Sequence, residues 1–240
     1  MSRKIVVLSS GGLDSTTCVG IAVKEVGAEN VSTVSISYGQ RHIKELKAAQ
    51  DVAVYYNVPH YEVDLSSALQ FSNCSLLNKS SADVPLMSYA DQLKESNAPT
   101  TEVPLRNGLM LMCVGSIAMQ LYPNDEVDVY IGAHSDDAAG NAYPDCAQEF
   151  IDHVNDAILF GSRGKVKVVA PFVSCNKASV VKQGLSLSVP YNLTTSCYNG
   201  RDKACGLCGT CRDRIIAFKK NNAIDPIDYE IDDPFREMRG

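Results

Sequence analysis

Ile5-Val6-Val7-Leu8-Ser9-Ser10-Gly11-Gly12-Leu13-Asp14-Ser15-Thr16-Thr17-Cys18 is the stretch on which the fold turns. The apolar run 5–8 has the length of a short buried strand, and a helix can begin near Asp14. Ser9, Ser10, Gly11 and Gly12 lie between them. Two glycines let the backbone turn sharply and let an anion approach without meeting a Cβ. The free N–H groups of the helix start, with the positive end of its dipole, favour pyrophosphate. Ser10, Ser15 and Thr16 add hydroxyl donors. Asp14 could hold a magnesium ion or orient the loop.

Working outward, strand and helix signals alternate. The patterning predicts strands at 5–8, 31–37, 60–65, 127–132 and 166–170. It predicts helices over 17–26 (ended by Gly27), 41–56, 106–122, 145–161, 176–187 with Asn176 as N-cap, and 212–220. This repetition implies an α/β fold with a doubly wound, mostly parallel sheet. Residues 72–105, rich in Ser, Asn, Asp and Pro, break the rhythm. They are expected to form a loop or lid with one short helix near 89–94. We divide the chain into a nucleotide domain (1–190), a four-cysteine module (191–224) and an acidic tail (225–240).

The 240 residues, 45% hydrophobic and 21% charged, are those of a folded chain. A net charge of −6 argues against a broad nucleic-acid-binding face but allows a local basic pocket. The longest apolar segment, 109–122, is interrupted by Gly115, Ser116 and Gln120, so no membrane span is expected. Met-Ser-Arg-Lys before four apolar residues is too short for a signal peptide, and the nine cysteines are expected in a reducing cytoplasm.

The loop is not G-x-x-x-x-G-K-[ST], because no lysine follows Gly12, and it is not G-x-G-x-x-G. Ser-Gly-Gly-Leu-Asp-Ser resembles instead the PP-loop of the N-type ATP pyrophosphatases, adenine nucleotide α-hydrolase-like proteins that form AMP and pyrophosphate. The resemblance implies nucleotide contacts along Ser9, Ser10, Gly11, Gly12, Leu13, Asp14, Ser15, Thr16, Thr17, Cys18 and Val19.

Cys197, Cys205, Cys208 and Cys211 are spaced C-x7-C-x2-C-x2-C, and Gly206 and Gly209 allow the tight turn this needs. Four thiolates suit a closed structural zinc site. The spacing also admits a 4Fe–4S cluster or free thiols.

Further motifs narrow the resemblance. The chain carries Ser37-Tyr38-Gly39-Gln40-Arg41-His42, then Val103-Pro104-Leu105-Arg106-Asn107. Tyr143-Pro144-Asp145-Cys146 with Glu149-Phe150, Asn176-Lys177 and the cysteine module follow. Together these resemble the 7-cyano-7-deazaguanine synthases of queuosine biosynthesis. Two positions depart from that family's pattern. Glu102 stands where an aromatic residue commonly precedes Val-Pro, and Ala147 where an arginine commonly follows Tyr-Pro-Asp-Cys.

The resemblance implies ATP-dependent conversion of 7-carboxy-7-deazaguanine and ammonia to 7-cyano-7-deazaguanine. Adenylation of the carboxylate makes a leaving group, ammonia gives the amide, and a second adenylation with loss of AMP gives the nitrile. It implies one structural zinc per chain on the four cysteines, ATP with magnesium as co-substrate, and a cytoplasmic homodimer without nucleic-acid or membrane partners. Two rival readings are a relative that transfers an activated deazapurine to another acceptor and a tRNA-thiolating PP-loop enzyme.

Individual residues are then assigned. Asp14, Ser15, Lys177 and Arg106 are expected to act in the chemistry: Lys177 resembles a phosphate-contacting lysine, or is a solvated surface lysine, and Arg106 opens its helix beside the lid, or is a surface helix-start arginine. Tyr38, Gln40, Asp137, Tyr143 and Asp145 are expected to contact substrate. Asp145 suits either the N–H edge of a guanine-like base or a helix N-cap. Tyr143 suits either stacking or loop packing. His134, Asp136 and Asp137 follow a strand end, where ligands often bind; they could serve magnesium or proton transfer. Arg41 is a nucleotide or substrate contact, or surface charge.

Overall fold

The computed structural model describes residues 3–40, 44–77, 80, 100–138 and 142–231. Five strands form one parallel sheet in the order β3-β2-β1-β4-β5. They are β1 (Arg3–Leu8), β2 (Val31–Ser37), β3 (His60–Asp64), β4 (Glu126–Tyr130) and β5 (Val166–Val169). β1 is central: Val6 stands opposite Ser32 of β2 and Val129 of β4. The chain reverses its direction of winding between β1 and β4, the position at which open α/β sheets bind ligands.

Alternation along β1 divides the core. Val6 faces one layer with Val34, Val129, Leu111 and Ile158. Ile5 and Val7 face the other with Val19, Val180 and Phe218. Two helices, α3 (Arg106–Leu121) and α4 (Gln148–Gly161), supply the first layer. The second is built from α1 (Leu13–Val26), α2 (Lys44–Tyr56), α5 (Lys177–Ser186) and α6 (Gly209–Lys220). Gly27 ends α1 and the Asn176 side chain caps α5 by accepting from Ser179 N, both as expected.

Three expectations change. The helix expected from 145 begins at Gln148, after a short 3-10 turn, Pro144–Cys146. Ala147 has an extended backbone (φ −72°, ψ 149°), which separates the turn from the helix and sets its start at Gln148. The basic helix expected from Arg212 starts three residues earlier, at Gly209, so Cys211 sits in its first turn. The stretch from 225, read as a tail, is folded as far as Ile231. Asp225 is buried against Arg214, and Ala204 bonds to Asp228 and Glu230 through the backbone. The short helix expected near 89–94 and Arg41 lie outside the described residues.

Candidate active site and metal centre

The loops after β1, β2 and β4 open into one cavity of about 230 Å³. Ser9, Ser10, Gly12, Asp14 and Ser15 form one part of its wall. Gly11 has φ +72°, and a Cβ there would lie 2.3 Å from the carbonyl oxygen of Glu45, so only glycine fits. The turn is fastened from both sides. Ser9 N donates to Val34 O at 2.8 Å and Thr195 N to Gly11 O at 3.0 Å. Ser10 and Ser15 share a hydroxyl contact of 3.1 Å. No side chain caps α1 at Gly12, which leaves its first N–H groups for a ligand.

Lys177, the first residue of α5, reaches the same place. Its ammonium lies 3.2 Å from Asp14 Oδ2 and 3.3 Å from His134 Nε2. Asp137 lies 3.3 Å from that same imidazole nitrogen, and Asp136 accepts from Lys177 N at 2.8 Å. Burial pushes the Asp14 carboxyl up, but Lys177 and then His134 more than reverse this and hold it below the ordinary carboxylate range. Lys177 is raised: burial opposes its charge, and Asp14, Asp137 and Asp213 outweigh it. Ser9 Oγ, Asp14 Oδ1, Thr16 Oγ1 and His134 Nδ1 are buried without hydrogen-bond partners among the described residues. The hydroxyls beside a free helix start fit a polyanion, and the Asp14 oxygen fits a cation that accompanies it.

The rest of the cavity is more apolar and, among the described residues, carries one further cation. Arg106 lies over the ring of Tyr38, 5.5 Å from its centroid. Gln40, Glu45, Leu76, Met110 and Tyr198 complete this part of the wall. Burial pushes the Tyr38 hydroxyl up to about 12, with Arg106 opposing.

Sequence reasoning is thus brought together at Ser9, Ser10, Gly12, Asp14, Ser15, Tyr38, Gln40, Arg106, Asp137 and Lys177, all of which line the cavity. Other candidates stand away from it. Leu13, Cys18 and Val19 face the core because the helical period turns them from the loop, and Thr17 bonds Leu13 O and Tyr191. Tyr143 packs in the core with its hydroxyl on Thr101. Asp145 caps a different helix from the one expected: its Oδ2 accepts from Asn107 N, at the start of α3, at 3.0 Å. Glu45 and Thr195 had not been singled out, and Asn107 and Tyr198 only as parts of motifs with no role of their own. Glu45 carried a usable signal, since it stands in the first turn of α2, the helix that follows the carboxyl end of β2.

The four cysteines converge as their spacing suggested. Their sulfur atoms all lie within 4.8 Å of one another, and all four residues are buried. A tetrahedral ion with bonds of about 2.3 Å would hold its sulfurs about 3.8 Å apart. A four-iron cluster spreads its thiolates over four metal atoms and needs a wider cage. Backbone N–H groups of Asn199 and Cys205 point at Cys197 Sγ, and those of Leu207 and Cys208 at Cys205 Sγ. These donors favour thiolates. The donor set fits one metal ion with no open position.

The chain matches the family model described as queuosine biosynthesis protein QueC over residues 4–222. It is 43% identical to the 7-cyano-7-deazaguanine synthase of Pseudoalteromonas atlantica over 230 residues, 96% of this chain and 100% of that protein. The protein of that name from Caldicellulosiruptor saccharolyticus is 42% identical over 96% of both chains. Among solved structures, NMN synthetase from Francisella tularensis superposes with a TM-score of 0.50 over 93% of this chain and 79% of that one. At 13% identity this is a likeness of fold. Among the described residues no helix is long and apolar enough to cross a membrane.

Proposed function

The chain belongs to the QueC family of queuosine biosynthesis proteins, and from that premise we infer that it makes 7-cyano-7-deazaguanine from 7-carboxy-7-deazaguanine, ammonia and ATP. It is a ligase that forms carbon–nitrogen bonds. One observation carries the reading to this molecule. The pyrophosphate-shaped loop and the Tyr38–Arg106 wall share a single cavity, so a nucleotide and a flat aromatic acid can meet there.

The residues divide the work as follows. The loop N–H groups, the start of α1 and the Ser10 and Ser15 hydroxyls grip the outgoing pyrophosphate, and Lys177 answers its growing charge. Asp14 and Asp137 would hold magnesium, which binds through one or two carboxylates together with phosphate oxygens. Arg106 pairs with the substrate carboxylate and aims an oxygen at the α-phosphorus, while Tyr38 covers the ring. Attack on that phosphorus releases pyrophosphate and leaves an acyl adenylate. Ammonia displaces AMP to give the amide. The amide oxygen takes a second AMP, whose departure with the N–H protons gives the nitrile. Catalysis here is positioning and charge stabilisation, to which a rigid cavity at a sheet edge is suited.

We assign zinc to the four cysteines, one per chain, holding the module together with no part in the reaction. We keep 1–190 and 191–224 as the two units, with 225–231 added to the second. A cytoplasmic homodimer is part of the same proposal. The dimer part is supported by exposed Leu105, Leu109, Met112 and Met119, spaced as one stripe along and just before α3. Incubation with 7-carboxy-7-deazaguanine, ATP, magnesium and ammonium, read by mass spectrometry, tests the function. The nitrile with AMP is expected; ADP and orthophosphate as the nucleotide products would defeat it.

A further inference from the structure

Among the described residues three carboxylates line the cavity: Asp14, Glu45 and Asp137. Asp14 is engaged by Lys177 and Asp137 by His134. The Glu45 carboxylate makes no hydrogen bond or ion pair with a described residue. It stands in the first turn of α2, and its own carbonyl oxygen packs on Gly11. It is therefore rooted beside the nucleotide loop, close to where a carboxylate must meet the α-phosphate. Arg106 and Tyr38, on the same wall, feel its charge.

The reaction inferred above has a need that no residue has yet met. In neutral water ammonia is mostly ammonium, which has no lone pair to attack with. The other groups of the wall serve this need poorly. Lys177 and Arg106 are cations. Tyr38 and Cys146 are pushed up by burial, and Cys146 Sγ already accepts from Asn107 Nδ2. Asp14 is held ionised by Lys177 and is a weak base. A recessed carboxylate that no cation among the described residues contacts attracts a small cation.

We propose that Glu45 captures ammonium in the cavity and takes its proton, delivering ammonia to the adenylated acid. The proposal rests on the function inferred above. One N–H bond of ammonium breaks, its electron pair stays on nitrogen, and the proton passes to a Glu45 oxygen. The nitrogen pair forms the C–N bond to the acyl carbon. The C–O bond to AMP breaks and its electrons leave with AMP. A second proton leaves the nitrogen for water, and the amide remains. Burial raises the Glu45 carboxyl to about 7 against the pull of Arg106, which suits a group that must accept a proton and release it each turnover.

Glu45→Gln keeps the shape and removes the base. Hydroxylamine, largely unprotonated at neutral pH, is the probe that needs no deprotonation. In Glu45→Gln, ammonia-dependent turnover should fall about 100-fold, while hydroxamate formation and pyrophosphate exchange into ATP on 7-carboxy-7-deazaguanine stay within about threefold. Glu45→Asp should recover part of the ammonia-dependent rate. Equal losses with ammonia and hydroxylamine would overturn the proposal and leave Glu45 a structural residue. Loss of pyrophosphate exchange would overturn it too, in favour of Glu45 reading the edge of the deazapurine. Failure of the unaltered chain to exchange pyrophosphate on this acid would remove the inferred function and this proposal together.

Discussion

Lys177 Nζ lies 3.2 Å from Asp14 Oδ2, joining the first turn of α5 to the first turn of α1. The two helices start on different strand-end loops, so this pair closes the phosphate end of the cavity. It also charges that end in advance. Lys177 is buried and positive before any nucleotide arrives, and Asp14 balances it until phosphate oxygens and a metal ion can share the load.

Asp14→Asn is therefore expected to act on both chemistry and stability. Formation of AMP should fall by at least about 100-fold, the scale of losing one preorganised charge contact. Unfolding free energy should fall by up to about 3 kcal/mol, less than for a fully enclosed pair because the Asp14 side chain is 22% exposed. The folded-state carboxyl lies below its ordinary value of 3.8, so its contribution is full above that pH and fades as pH falls towards the folded value. Urea titrations at neutral pH and near pH 3 check this. The gap between the unaltered chain and the variant should narrow in acid.

Asp145→Ala separates capping from substrate reading. Since Asp145 Oδ2 accepts from Asn107 N, loss of the cap should cost about 1 kcal/mol while affinity for 7-carboxy-7-deazaguanine stays within about twofold. Thermal melts and a binding titration read the two effects separately. A large drop in affinity without a stability change would return Asp145 to the substrate.

The contrast between these residues shows what a sequence discloses. The loop after β1 and the cysteine cluster were legible because their chemistry is local: two residues separate Cys205 from Cys208 and Cys208 from Cys211, and a turn brings them together. The strand 31–37 was legible although four of its seven residues are Ser or Thr, because Val31, Thr33, Val34 and Ile36 are β-branched and the run is short. The direction of Thr17, Cys18 and Val19 was not, because the same eleven residues serve the cavity on one face and the core on the other. Asp145 meets Asn107 across 38 residues and Arg214 meets Asp225 only after α6 has docked, and neither contact leaves a periodic trace. Glu45 was passed over although it opens the helix after β2, because its place in the wall depends on the packing of α2 against Gly11.

Asp225 should prove structural. It accepts from Arg214 Nε at 2.7 Å and from Nη2 at 2.9 Å, and the Arg214 side chain is completely buried. That guanidinium also donates to Thr194, Ser196 and Tyr191 O, so it ties α6 to the segment before the cysteines. Asp225→Ala leaves a buried, unanswered cation and should cost about 3–5 kcal/mol. Chemical denaturation would measure it. A neutral result would mean that the segment after α6 is dispensable.

The metal prediction follows from the same module. Purified chain should carry about one zinc, released with loss of structure by a strong chelator, because a closed tetrathiolate site contributes directly to folding. Cys208 is the most buried of the four sulfur ligands and the residue from which α6 starts. Cys208→Ser should lower zinc content, soluble yield and melting temperature together, and activity should fall in step with folded protein. Cys18→Ser should leave the metal in place, since Cys18 packs in the core beside α1 with its thiol pushed up by burial. Metal analysis by mass spectrometry, paired with a visible spectrum, reads each outcome. Iron with visible absorption would replace zinc by a cluster, and full occupancy in Cys208→Ser would take that residue out of the site.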